Sequence, residues 1–456
     1  MASSVANSGF RLQPDYVNPA LARDTSFKRM FPTAAPKDLV YNDILMAPAG
    51  SRQWMETLAD NGTQFQPVNQ KFTVTLRSRN ILDFSQAFLN FEASCVSSDS
   101  TPVFFTQGNW NMFSRIRVLC GSIVLMDQIE KNVFESFNYA FCRASNYDST
   151  IGYGIQGIGS IAQRQGWATG RTYVMPLNIP LLTSEEIIMA NNQGLVIEFY
   201  LAPATACVCF DATTSPTATL NYTITNPRIR CHEVKYQDDL QRALVSLSPV
   251  IYPYVNYKSF STQIVAGSST FQYSIPIKVQ GLIRMIAFMR PSASINNPAV
   301  TDALTTSFPY NNSTQYQLRV DNDYFPPQPI SSGGTSGPEQ AYLECLACMD
   351  KAELARLDVH RDQNNGSHVW KNWDRFIPNI DDFTSNRFAI CLDLKSTTDN
   401  DPNYVPLFDV TPGNVQLILN LNFASGSPTT NQTLYIFMIH TSIVSSDNQG
   451  NYTLIE

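Results

Sequence analysis

The sequence predicts an all-β chain with short helices, built as two tandem eight-stranded jelly-roll β-sandwiches (a double jelly roll). Three observations carry the prediction. Apolar and polar residues alternate with period 2, as in Phe72-Val74-Leu76, Phe271-Tyr273-Ile275 and Leu417-Leu419-Leu421-Phe423. Such alternation puts one face of a strand in a core and the other outside. The 27 Phe, 20 Tyr and 27 Pro favour strands joined by turns. Finally, the order of segments in the first half returns in the second.

The repeat runs along most of the chain. KFTVTL (Lys71 to Leu76) matches TFQYSIPIKV (Thr270 to Val279), with Phe72 against Phe271. QAFLNFEAS matches IRMIAFMRP, with Phe91 against Phe288. RIRVLCGSIVLMDQIEKNVFESFNYAFCRAS (Arg115 to Ser145) reads as strand, turn at Cys120-Gly121, strand and helix. YQLRVDNDYFPPQPI (Tyr316 to Ile330), followed by PEQAYLECLACMDKAELARL, repeats that order, with Arg117 against Arg319. RTYVMPLNI pairs with NRFAICLDL, and GLVIEFYLA with VQLILNLNFA, setting Val196 against Leu417. In the first helix Val133, Phe134, Phe137, Ala140 and Phe141 share one buried face; in the second, Leu343, Leu346 and Ala347 do so behind Pro338 in the first turn.

Many short strands in two similar halves suit packed sheets. The expected division is an N-terminal arm over 1–65, proline-rich with a short helix around Arg52 to Leu58, then a first jelly roll over 66–236. A connector over 237–248, a second jelly roll over 249–445 and a tail over 446–456 follow.

Charged residues are 15% of the chain, below the ~25% usual for soluble domains. The chain therefore hides much of its surface, in large sheets or against copies of itself. A net charge of −7, with no basic run longer than Phe27-Lys28-Arg29, argues against binding nucleic acid through clustered Lys and Arg. The opening MASSVANSGFRLQPD lacks the apolar core of a secretory signal, and stretches such as Leu434 to Val444 fall short of the ~20 residues that span a bilayer. The expectation is synthesis in a reducing compartment, cytoplasm or nucleus, with the nine cysteines serving as small buried apolar residues.

Chemical readings are weaker than structural ones throughout. Cys345 and Cys348 have C-x-x-C spacing but no second pair, so they are read as helix packing. Cys207, Cys209, Cys231 and His232 have the count for zinc, yet neighbouring Cys231 and His232 point to opposite faces of a strand. His360 and His368, in a loop with Trp370 and Trp373, suit a sugar-binding or partner-binding loop, but such tryptophans more often anchor a loop to its own sandwich. Glu185-Glu186, Asp238-Asp239 and Asp381-Asp382 are adjacent acids, which rarely share a cleft; Ser184 is an N-cap for the first pair. Gly152 to Gly159 lacks a lysine partner and is expected to be a flexible loop. No residue is assigned to catalysis, cofactor or metal, and no enzyme activity is expected.

Two strand-rich halves, each with a helix between its middle strands, carry RTYVMPLNIPLLTSEE followed by GLVIEFYLA, and YQLRVDNDYFPPQPI followed by a helix. In this the chain resembles the double jelly-roll major capsid proteins of icosahedral double-stranded DNA viruses, most of all the virophage and polinton-like virus branch. The resemblance spans about Val68 to Ile443. It implies a structural capsid subunit located in the virion, forming homotrimers of pseudo-hexameric outline that tile a shell around a dsDNA genome. It implies as partners the chain itself, then penton and minor or cement capsid proteins. It further implies an arm tying neighbours at the base and exposed tower loops at Ile295 to Gln315 and Ser331 to Pro338. The alternative is a tandem β-sandwich carbohydrate- or receptor-binding module such as a viral spike.

Overall fold

The structure is a computed structural model. It describes residues 50–142, 152–183, 188–189, 194–210, 218–236, 250–299, 307–349, 380–394, 410, 415–446 and 452–455, apart from 79, 178, 280 and 334–336.

The main strands of the first half are β1 (Gly50–Leu58), β2 (Lys71–Leu76), β3 (Ile81–Ser97), β4 (Phe113–Cys120), β5 (Ile123–Ile129), β6 (Arg171–Pro176), β7 (Leu195–Leu201) and β8 (Leu220–Tyr236). Those of the second are β9 (Val250–Ile264), β10 (Thr270–Ile275), β11 (Leu282–Pro291), β12 (Ser313–Val320), β13 (Asp323–Ser331), β14 (Ile390–Asp393), β15 (Leu417–Phe423) and β16 (Gln432–Ser446). The first half builds two large antiparallel sheets, ordered β1-β8-β3-β6 and β2-β7-β4-β5, beside a short pair of Val103–Phe105 with Val208–Phe210; the second builds β9-β16-β11-β14 and β10-β15-β12-β13. Adding eight to every label of the first half gives the second. Each of the five segment pairs read from the sequence occupies corresponding strands of this plan. The fold is a double jelly roll.

Alternation survives in the burial. On β2 Phe72, Val74 and Leu76 are buried, and on β15 Leu417, Leu419, Leu421 and Phe423 are. Phe72 stacks on Phe199 at 4.9 Å, and Phe91 meets Phe113 edge-on at 5.6 Å. Burying these aromatic rings is what drives the two sheets together.

Register corrects two alignments. Leu195 pairs with both Leu76 and Cys120, and Leu417 pairs with Ile275 and Val320. Leu195, not Val196, therefore stands in the place of Leu417; a slip of one residue had set an outward side chain against an inward one. With Cys120 matching Val320, Gln317 rather than Arg319 occupies the place of Arg117. That slip of two kept the face.

Several expectations change at the margins. Arg52 to Leu58 is strand, not helix: β1 pairs with β8 along its length, because its backbone completes the sheet edge. β1 thus belongs to the first sandwich although it lies inside the stretch expected as arm, and residues 1–49 and the connector 237–248 lie outside the described residues. Within the expected tail, Tyr452–Ile455 forms a strand on β16. Gly152 to Gly159 is not a flexible loop. Gln156 and Ile158 are buried, and the amide of Ile158 donates to the Gly152 carbonyl at 3.0 Å. Ser160 then caps the helix Ile161–Trp167 with a complete capping box.

Candidate assembly surfaces

The helix Lys131–Cys142, α1, leaves the first sandwich after β5. Its expected face is buried, but against the other half of the chain. Phe134 packs on Tyr257 of β9 at 4.3 Å and on Phe437 of β16 at 5.0 Å; Phe137 lies parallel to Phe288 of β11 at 5.4 Å. Val133, Phe137, Ala140 and Phe141 all belong to the second core. Tyr139 turns the other way, onto Trp110 at 5.2 Å, and belongs to the first core. The helix is therefore a wedge with a home face and an away face. Opposing sheets of a sandwich are ~10 Å apart, no wider than a helix with its side chains, so α1 covers the outer face of β9-β16-β11-β14.

The chain crosses back as well. Tyr254, Val444 and Tyr452, from the second half, sit in the first core. Tyr254 donates its hydroxyl to the Leu125 carbonyl, and Ser259 donates to the Ile129 carbonyl at 3.1 Å. Lys131 and Glu135, one helical turn apart, form a buried ion pair at 2.7 Å. Burial pushes the Glu130 carboxyl up, with the Arg290 charge opposing; burial holds Arg290 down to about 10, against the charges of Tyr435 and Glu130. A seam that buries the Lys131–Glu135 pair is packed as an interior.

The outer face of β1-β8-β3-β6 instead carries exposed apolar side chains. Trp54, 45% exposed, stacks on His232 at 3.6 Å, and the Arg230 guanidinium lies 4.8 Å from its ring centre. Arg52 donates to Asp83 at 2.7 Å, and Arg228 pairs with Glu56 at 2.8 Å. Burial and the Arg52 charge hold the His232 imidazole below its usual range. Leu58 is 56% exposed at the end of this row.

The outer face of β2-β7-β4-β5 carries a charge network centred on Glu198. Lys71 donates to one carboxylate oxygen; Arg117, at 3.1 Å, and the Tyr200 hydroxyl, at 3.0 Å, reach the other. Arg115 binds Asp127 through two nitrogens. The corresponding positions of the second sandwich hold Thr270, Gln317, Asn420 and Asn422, which are neutral. The alternation places all of these outside from sequence alone; nothing in it reveals that they meet.

The chemical candidates resolve plainly. Cys207 ends a short helix, Cys209 lies in the strand that follows it, and Cys231 lies inside the core while His232 lies outside it. Those four do not converge. Cys345 and Cys348 do meet Cys391, whose thiol burial pushes well above its usual range, with hydrogen bonds from both acting the same way. Among the described residues no group of three or more His, Cys, Asp and Glu is placed to hold a metal. His360, His368, Trp370, Trp373, Glu185, Glu186, Asp238 and Asp239 lie outside the described residues; Asp381 and Asp382 lie in the helix Ile380–Ser385. Of the expected tower loops, Ser332 is fully buried and accepts from the Tyr310 hydroxyl, and a Cβ at Gly333 would collide with that hydroxyl, so Ser331 to Gly333 is pinned, not free. Ser313 to Gln315 lies within β12.

Two sandwiches of one plan, locked through a shared wall and presenting flat flanks, define a double jelly-roll protein. No family model matches the sequence, and no curated protein does. Solved structures are similar over nearly the whole chain. The Faustovirus major capsid protein is 8% identical, with 100% of this chain and 99% of that one covered at a TM-score of 0.57. PBCV-1 VP54, fitted into a reconstruction of the virophage Sputnik, is 7% identical, with 90% and 97% covered at 0.55. A chain of the Sputnik virophage structure is 11% identical, with 89% and 88% covered at 0.51. At such identities the likeness is one of fold.

Proposed function

We propose that this chain is the structural subunit of a viral icosahedral capsid, and that its work is assembly rather than catalysis. One observation carries the reading: the likeness to the Faustovirus major capsid protein extends from end to end of both chains, and it includes both sandwiches. Two like domains side by side, arranged around a threefold axis, give six near-equal flanks, so homotrimers of pseudo-hexameric outline tile a shell around a dsDNA genome. Heterologous contacts that close on themselves build such rings. The protein then resides in the virion, with itself as first partner and penton and minor capsid proteins at the remaining contacts. In this reading the first jelly roll includes Gly50 to Tyr236, and the second includes Val250 to Ser446 and receives the C-terminal strand.

Expression of the chain followed by electron microscopy and mass measurement tests the proposal. Particles of three 51.0 kDa chains with hexagonal outline, or closed shells, are expected. A chain that stays monomeric at every concentration and is retained on immobilised glycans would favour the receptor-binding alternative.

A further inference from the structure

The repeat that relates the two halves also relates their surfaces, and among the described residues one surface lacks its counterpart's cover. After β5, α1 crosses from the first sandwich and lies on the outer face of β9-β16-β11-β14. After β13, the corresponding strand, comes the helix Glu339–Cys348, here α2. Like α1 it has a home face: Ala341, Cys345 and Cys348 are buried in the second core, and Arg284 donates to the Cys348 carbonyl. Its opposite stripe is exposed, at Glu339, Gln340 and Leu343, the last 55% accessible. This overturns the expectation that Leu343 is buried with Leu346. An exposed leucine on a helix whose other apolar residues are covered is an unfilled contact. The strand topology says which surface is its counterpart: the outer face of β1-β8-β3-β6, where Trp54 and Leu58 are exposed.

We propose that the outer face of β1-β8-β3-β6, centred on Trp54 and Leu58, is the docking surface for α2 of a second copy of this chain, with Leu343 as its apolar anchor. The inference rests on the self-assembly reading and adds to it a particular helix-on-sheet contact. The chemistry is complementary. Around Trp54 stand Arg52, Arg228 and Arg230 against the carboxylates of Asp83 and Glu56, a surplus of one positive charge. The facing stripe of α2 carries Glu339, with Glu344 beside it. The contact within a chain is mostly aromatic and permanent; the one between chains is smaller, ringed by charge and open to solvent before assembly, as a surface must be in a subunit that folds first and associates later. Helix to sheet is head-to-tail, so each copy offers one donor and one acceptor, and the ring closes when the last helix finds the first sheet.

Leu343→Asp and Trp54→Asp, made separately, test this by sedimentation. Both residues are exposed, so each variant is expected to keep the parent circular dichroism while losing at least tenfold in trimer association. Should Trp54→Asp unfold, Leu58→Asp replaces it on the same face. The two variants are then mixed. A Trp54→Asp chain keeps its helix and a Leu343→Asp chain keeps its sheet face, so one sound contact remains and 1:1 dimers, without trimers, are expected. Parent-like trimers from both single variants, or a mixture that stays monomeric, would overturn the contact while leaving the assembly reading intact. A parent chain that never associates would remove both.

Discussion

Glu198 shows how one side chain is fixed by its neighbours. Burial alone would push its carboxyl up. Hydrogen bonds from Lys71 and Tyr200 and the charges of Lys71 and Arg117 outweigh that and hold it below the usual carboxylate range. A carboxyl whose pKa is lower folded than unfolded adds stability above its unfolded pKa, and loses it as pH falls through the folded value. Acid unfolding below pH ~4.3 is therefore expected to be shallower in Glu198→Gln than in the parent. At neutral pH the same substitution should cost about 1–3 kcal/mol, because Lys71 and Arg117 lose a hydrogen-bonded acceptor; Lys71 is partly exposed, which keeps the figure toward the low end. Denaturant titrations at pH 3 to 7 read both effects. Identical acid slopes would mean that the network is solvated and adds nothing.

Among elements, α1 does the most to join the halves. Its rings at Phe134 and Phe137 cover Tyr257, Phe437 and Phe288, and without it those side chains form an exposed aromatic patch of the kind that drives aggregation. The second sandwich expressed alone, residues 250–456, is expected to bind a hydrophobic dye and precipitate. Supplying residues 50–249 in trans should restore a soluble complex. A second half that stays soluble and dye-silent on its own would show that the helix is a cover, not a part of the core. The hairpin turns tell a smaller story at this scale: Gly121 and Asp321 occupy the same place between equivalent strands, with φ of 57° and 53°. Glycine takes that conformation freely; Asp321 holds it with its carboxylate accepting from the Gln416 amide at 2.7 Å.

For the whole molecule, the crossed cores predict cooperative unfolding. Tyr254, Val444 and Tyr452 lie in the first core while α1 lies in the second, so neither sandwich can open without exposing part of the other. Calorimetry of the parent should give one transition. Phe137→Ala removes the ring stacked on Phe288 and is expected to cost about 3–5 kcal/mol, splitting that transition in two by loosening the wall. Two well-separated transitions in the parent would mean independent sandwiches joined by a linker. The two outer flanks differ as well, charged on the first sandwich and amide-rich on the second, so the six sides of a ring would be alike in shape but not in charge.

The sequence by itself determined the strands, their order and the doubling. Side-chain alternation along a strand is local and obeys a period of two, so KFTVTL and LILNLNF declare a buried face without any knowledge of their neighbours. It determined that residues Val133 to Phe141 form an amphipathic helix. It did not determine which core that helix fills, because an apolar stripe states only that something covers it. Nor did it fix register to the residue, as Val196 and Arg319 show, or reveal β1, whose SRQWMETL lacks alternation because Met55 packs on the first core while Trp54 and Leu58 stand exposed on the other face. Those matters were decided by the tertiary structure. Hydrogen bonding between strands sets register, and the packing of one half against the other settles which residues are wall and which stay exposed.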